Sequence, residues 1–134
     1  MSDATGTGSM DGWSEQPAPD DHAPTPRLAT VEAAFAYHGD LEGSSVVHYV
    51  LSYPAGDGPV PFVGYEVVTA TLAGSEGTFA VRHQGTYGPE GVRADWLIHE
   101  GSATGALEGL SGTGGYVIEL GKEDWSWSLR YELP

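Results

Sequence analysis

The stretch from Asp124 to Leu133 constrains this chain most. Trp125, Trp127, Leu129, Tyr131 and Leu133 alternate strictly with Ser126, Ser128, Arg130 and Glu132. A period of two puts one set of side chains on one face of a strand and the other set on the opposite face. The segment is therefore read as a strand with a buried, aromatic-rich face. Tyr116 and Ile118, in the preceding run Tyr116–Leu120, join that face across a hairpin turned at Gly121-Lys122.

A second hairpin is written between Phe62 and Gly85. A turn at Gly74-Ser75 pairs Leu72 with Gly77, Ala70 with Phe79, Val68 with Val81 and Glu66 with His83. One face then carries Gly64, Glu66, Val68, Ala70, Phe79, Val81 and His83, and the other carries Tyr65, Thr69, Thr71, Thr78, Arg82 and Gln84. The first, mainly apolar face is expected to be buried. Directly opposed residues on an antiparallel pair touch, so a carboxylate and an imidazole are expected side by side on it.

Further strands follow the same logic. Val31, Ala33, Phe35 and Tyr37 alternate with smaller or polar residues between Leu28 and His38, and Val92, Ala94, Trp96 and Ile98 do so before Glu100. Trp96 is expected near Val81 and His83. Ser45–Tyr53 is rich in strand formers but apolar on both faces, which leaves its inward face unassigned. Met10–Glu15 gives a weaker signal for a first strand. Residues 1–7 are small and polar and are read as disordered. Residues 16–27 hold Pro17, Pro19, Pro24 and Pro26 among acidic residues, which reads as a loop or extended flap. The Gly-rich run from Gly101 to Gly115 lacks a Lys-Ser/Thr ending and a following helix pattern, so it reads as a turn and not as a phosphate loop. About eight strands, regular turns and almost no helix predict an all-β fold, an eight-stranded antiparallel up-and-down barrel over residues 8–134 as a single domain. Such a barrel encloses packed side chains or one small ligand.

Composition narrows the function classes. The net charge is −14 with only 5 Lys+Arg, which disfavours nucleic acid and anionic membranes as partners. No apolar run reaches the roughly 20 residues of a spanning helix, no signal peptide is visible, and the chain has no cysteine, so a cytoplasmic location is expected. The five histidines show no His-x-His or His-Glu-x-x-His spacing, so no metal is expected, and no Gly-x-Ser-x-Gly elbow is present. No cofactor is implied.

Two groups of residues carry candidate chemistry. Glu66 and His83 read as an acid–base or polarising pair inside the barrel, or as a buried pair that fixes register. Trp96, Trp125, Trp127, Tyr116 and Tyr131, with Tyr49 from the strand Ser45–Tyr53, read as walls of a pocket for an apolar ligand, or as plain core.

Trp13-Ser14-Glu15, Gly39-Asp40-Leu41-Glu42-Gly43, Phe62-Val63-Gly64-Tyr65-Glu66, Gly77 to Gly85, Gly101-Ser102-Ala103-Thr104-Gly105 and Leu129-Arg130-Tyr131-Glu132-Leu133 together resemble a bacterial family of small proteins of unknown function. That family is similar in fold to the allene oxide cyclase barrel and, more broadly, is calycin-like. The resemblance implies an eight-stranded barrel with a small-molecule-sized interior and no defined reaction. More distant barrels of this architecture cyclise polyketide-type substrates. By that analogy the chain is expected to be a cyclase or isomerase acting on an apolar, polyketide- or lipid-like molecule. A non-catalytic carrier or sensor is the alternative, and a filled barrel serving as an oligomerisation module is a third. Barrel relatives form dimers or trimers, so a homodimer and a homotrimer both stay open. The chain departs from the family at Ser14, at Ala103 within the Gly-Ser-Gly-Thr-Gly loop, and at His99-Glu100, expected near one barrel mouth.

Overall fold

A computed structural model describes residues 1–20, 22–122 and 124–134. In the sequence Asp20-Asp21 and Glu123-Asp124 read most simply as solvated charge; Asp21 and Glu123 lie outside the described residues. The strands are β1 (Ser2–Gln16), β2 (Arg27–Gly39), β3 (Leu41–Tyr53), β4 (Val60–Leu72), β5 (Ser75–Gly88), β6 (Gly91–Ile98), β7 (Ser111–Glu119) and β8 (Trp125–Glu132). Each pairs antiparallel with its chain neighbours, and β1 pairs with β8, so the eight strands form a closed barrel. One turn of 3-10 helix, Gly105–Leu107, is the sole helical element among the described residues. Among the described residues no helix is long and apolar enough to cross a membrane.

Alternation places the predicted faces inward. Val31, Ala33, Phe35 and Tyr37 of β2, Ala94, Trp96 and Ile98 of β6, and Trp125, Trp127, Leu129 and Tyr131 of β8 are all buried. The ambiguous β3 turns Ser45, Val47, Tyr49 and Leu51 inward and leaves Val46, His48 and Val50 outside. Trp96 stands directly opposite His83, as the β5–β6 alternation predicts.

Three expectations are corrected. Residues 1–7 are not disordered: Ser2–Gly8 is strand, paired with Tyr131 to Trp125. Its small residues are the reason. Gly6 and Gly8 sit opposite Trp127 and Trp125, and a Cβ on either would lie 2.7 or 2.6 Å from the indole ring. What looked like featureless polarity is a strand that leaves room for large rings.

The β4–β5 register is two residues away from the predicted one. The loop is Ala73-Gly74, with φ of +48° and +86°, and Leu72 pairs with Ser75. Two successive positive φ values suit the tight right-handed twist of a two-residue hairpin. A shift of two preserves every face, so Glu66 and His83 remain inside. They are now diagonal, with Glu66 opposite Val81 and Gly64 opposite His83.

The third correction concerns the C-terminal hairpin. β7 starts at Ser111, so Gly112, Gly114 and Gly115 are strand and not loop. A Cβ on Gly114 would meet the Ser128 carbonyl oxygen at 2.1 Å. The following turn centres on Leu120 and Gly121, with the Lys122 N–H donating to the Glu119 carbonyl over 3.3 Å, one residue before the expected position.

The barrel has two unlike ends. One is closed by Leu41, Leu72, Leu107 and Leu110, each no more than 2% exposed. The segment 99–104 seals it by running along β5. Ala80 N–H donates to Ser102 Oγ (3.0 Å) and Thr104 N–H to the Thr78 carbonyl (2.8 Å). Ser102 and Thr104 therefore act as anchors, and Ala103 between them packs against the core. His99 lies on the outer surface at this closed end, its ring 6.1 Å from that of Tyr65, and not at a ligand-accepting mouth. The other end is bounded by the connections β1–β2, β3–β4, β5–β6 and β7–β8, and here the interior is open.

Candidate functional site

One row of paired residues circles the barrel: Glu15, Val31, Tyr49, Gly64, His83, Trp96, Gly114 and Leu129. It returns to β1 at Ala4 instead of Glu15, which is the stagger that strand tilt demands of a closed sheet. Gly64 makes space in the row, because a Cβ there would lie 2.8 Å from the Tyr49 ring. The row carries a carboxylate, a phenol, an imidazole and an indole, and descends from the mouth at Glu15 into the filled interior at Trp96.

Glu66 and His83 are both fully buried, 0% exposed. His83 Nε2 lies 2.8 Å from Glu66 Oε1. The Tyr37 hydroxyl donates to Glu66 Oε2 over 2.5 Å, and Ser45 Oγ donates to the same oxygen. The carboxylate thus has three partners, the condition under which a buried charge is tolerated. On its other side, His83 Nδ1 is 3.1 Å from the Tyr49 hydroxyl, which is 2.9 Å from the Tyr116 hydroxyl. Burial, foremost, pushes the phenols of Tyr37, Tyr49 and Tyr116 above their ordinary range. For Tyr37 the charge of Glu66 adds to this.

Counting protons along this line fixes what its far end can do. With Glu66 ionised, Tyr37, Ser45 and His83 Nε2–H donate to it. If His83 is neutral, its Nδ1 accepts from Tyr49, and Tyr49 in turn accepts from Tyr116. If His83 carries a second proton, Nδ1–H donates to Tyr49, Tyr49 donates to Tyr116, and the Tyr116 O–H is released. One proton at His83 therefore decides whether Tyr116 presents an acceptor or a donor.

Tyr116 and Tyr49 form the floor of a cavity of about 360 Å³ at the open end. Its size is at the low end of small-molecule sites, about 300–1,000 Å³. Phe35, Leu51, Phe62, Val92 and Ile118 line its walls, and Met10, Trp13, Pro19, Tyr53, Tyr87 and Glu15 its mouth. Tyr53 donates to Glu15 Oε2 over 2.7 Å and accepts from Tyr87 over 3.0 Å. Burial first, then these two neighbours, raises the Tyr53 phenol. The Arg27 guanidinium stacks 3.9 Å above the Tyr53 ring, and its Nε and Nη1 are buried without a hydrogen-bond partner.

The predicted site residues divide accordingly. Glu66 and His83 are in contact, but neither lines the cavity; both lie behind the Tyr49–Tyr116 floor. Trp96, Trp125, Trp127 and Tyr131 do not line it either. Trp96, Trp125 and Trp127 ring Tyr37, with centroids 5.9, 5.7 and 6.1 Å away, and fill the barrel interior. Tyr49 and Tyr116 are the two predicted residues that meet the cavity. Sequence reasoning missed Trp13, Glu15, Tyr53, Phe62 and Tyr87. Their one signal was the pattern that carried the family resemblance, which includes Trp13-Ser14-Glu15 and Phe62; Tyr53 and Tyr87 had none. Among the described residues no cluster of His, Asp and Glu is arranged to hold a metal ion.

The comparisons agree with this picture of fold without function. Residues 4–131 match the model of a protein family of unknown function, DUF3224. A crystal structure of a DUF3224 protein of unknown function from Shewanella oneidensis MR-1 is similar, with 25% identity and a TM-score of 0.72, covering 98% of this chain and 99% of that one. No curated protein matches. The chain belongs to the DUF3224 family.

Proposed function

We propose that this DUF3224 member binds a small, largely apolar carbonyl compound in the open half of its barrel and acts on it as a cofactor-independent isomerase or cyclase. The observation that carries this reading is the hydrogen-bonded line from the cavity floor at Tyr116, through Tyr49 and His83, to the buried Glu66. An apolar cavity with a few convergent polar groups is the usual form of a small-molecule site. With Nδ1–H of His83 donating to Tyr49 and Tyr49 to Tyr116, the Tyr116 O–H is free to donate to a ligand oxygen and stabilise charge that develops there. Phe35, Phe62 and the Tyr49 ring hold the ligand in a reactive conformer. Glu66 and His83 are then positioning residues that supply the proton inventory, and Tyr116 is the group in contact. The resemblance to allene oxide cyclase barrels and polyketide cyclases points the same way, as a likeness of fold.

A second reading, a carrier or sensor, is favoured by one observation. The Tyr49 hydroxyl is bonded on both sides, so the line is satisfied without a ligand. Two measurements separate the readings. The neutral naphthyl ketone prodan should bind with a blue-shifted emission, and Leu51→Trp, which fills the cavity, should abolish the shift. In D2O the protein should accelerate exchange of the α-hydrogens of 2-tetralone, followed by proton NMR, by about a hundredfold. Tyr116→Phe should return exchange to the buffer rate while prodan still binds. Prodan binding with exchange at the buffer rate in the wild type would leave the carrier. Absence of both would sink each reading.

A further inference from the structure

We infer that Glu15 is the catalytic base that meets the substrate in this cavity, opposite the Tyr116–Tyr49 donor pair, and that the substrate is a ring ketone or enone with an acidic C–H. The inference rests on the isomerase reading above. Among the residues lining the cavity, Glu15 is the one that carries a charge. It is 8% exposed. Its Oε2 accepts from Tyr53, and Oε1 has no hydrogen-bond partner among the described residues. A carboxylate held through one oxygen by Tyr53, with its other oxygen accessible on a cavity wall, is available to a proton from a ligand.

Placement supports the role. Glu15 and Tyr49 stand in the same row of the barrel, separated only by Val31, so their backbones are about 10 Å apart across two strand spacings. Both side chains point inward. A flat ring lying between them presents its oxygen to the phenols and a C–H to the carboxylate. Glu66 cannot take this part, since its two oxygens are held by Tyr37, Ser45 and His83 behind the floor.

The step balances without a co-reactant. Glu15 removes a proton from the α-carbon, the C–H electron pair becomes the enolate C=C bond, and the carbonyl π pair moves to oxygen, where Tyr116 donates a hydrogen bond. The protonated Glu15 then returns the proton to the same carbon or, in a β,γ-unsaturated ketone, to the γ-carbon of the dienolate. The second outcome moves the double bond, and no oxidation state changes overall.

The test uses the full-length protein, 2-tetralone and prodan. Glu15→Gln should leave prodan affinity within about twofold but lower α-hydrogen exchange by about a hundredfold. Glu15→Asp, which withdraws the carboxylate by one methylene, should restore part of the exchange and so separate chemistry from packing. Exchange at the wild-type rate in Glu15→Gln, with exchange still lost in Tyr116→Phe, would overturn the role of Glu15 and leave the isomerase reading standing. Wild-type exchange at the buffer rate would overturn both.

Discussion

The closed half and the open half of this barrel are made from the same strands and the same alternation, yet they hold different contents. In the filled interior Tyr37 is ringed by Trp96, Trp125 and Trp127, each edge-on within about 6 Å of it. In the open half Tyr49, Phe62, Tyr53 and Tyr87 leave about 360 Å³ unfilled. Glu66 and His83 lie at the boundary. The difference teaches that alternation decides which side chains point inward, whereas residue size at each level decides where the interior is packed. Gly6 and Gly8 admit indoles on one side, while Gly64 admits a phenol and stops there.

The boundary should be the most sensitive place. Glu66→Ala leaves Tyr37, Ser45 and the Nε2 of His83 without this partner in a fully buried site, and should cost about 3–5 kcal/mol in urea unfolding. A loss under 1 kcal/mol would mean that the pair does not hold the two halves together. Next, Trp127→Ala in the filled part should cost about 3–5 kcal/mol, whereas Phe62→Ala, whose ring already faces empty space, should fall toward the lower end, about 3 kcal/mol or less. Equal losses would erase the distinction between the halves. Within β1, Gly8→Ala drives a methyl group into the Trp125 ring and should cost about 1–3 kcal/mol. Gly12→Ala meets nothing within 4 Å and should stay within about 0.5 kcal/mol by thermal unfolding.

Surface charge is where the two ends should behave alike. At the closed end the Gly39 N–H, and secondarily His38, hold the Glu42 carboxyl below its ordinary 4.5. At the open end Lys122 does the same for Glu119. A depressed carboxyl contributes stability above the ordinary value and loses it as pH falls through the lowered one. Glu42→Gln and Glu119→Gln should each lower Tm slightly at pH 7 and converge on the wild type in acid. The buried phenols act at the other extreme. Tyr37, Tyr49 and Tyr116 are raised above 10.0, so the stability they contribute is intact below pH 10 and is lost as pH rises beyond it. Their ionisation at 295 nm should appear in one step with the loss of circular dichroism. Ionisation well before unfolding would place them nearer solvent than the geometry does.

The fold was legible wherever large and small residues alternate with a period of two, as in β2, β6 and β8. The hairpin register was less so, because the turn uses Ala73 at φ +48°, a conformation that a sequence does not advertise. Face survived that error since it was an even shift, which is why Glu66 and His83 were found together although their predicted pairing was wrong. The N-terminal strand was hidden because its inward residues are Ala4, Gly6 and Gly8, whose burial is meaningful only once the indoles opposite are known. The site was half legible. Alternation carries no information about height along the barrel axis, so aromatic residues that fill the interior could not be told from those lining its mouth. Glu15 was hidden for a different reason: a bulge between Met10 and Gly12 resets the alternation of β1 just before it.

The pairing of Ser2 with Tyr131 and of Gly8 with Trp125 makes β8 and β1 a hairpin that lacks only its turn. Covalently the chain is a line, but in its hydrogen bonds it is a ring, and a ring has no first strand. Of the seven connections, those other than the β6–β7 segment that seals the closed end are then equivalent places for the polypeptide to start. A circular permutant joined between β8 and β1 by a short glycine turn, and opened among the prolines between Gln16 and Arg27, retains every ladder of the barrel. What it gives up is the covalent link between Gln16 and Arg27, of which Pro19 lines the cavity mouth. Architecture and access to the cavity are in this sense separately addressable in one small protein.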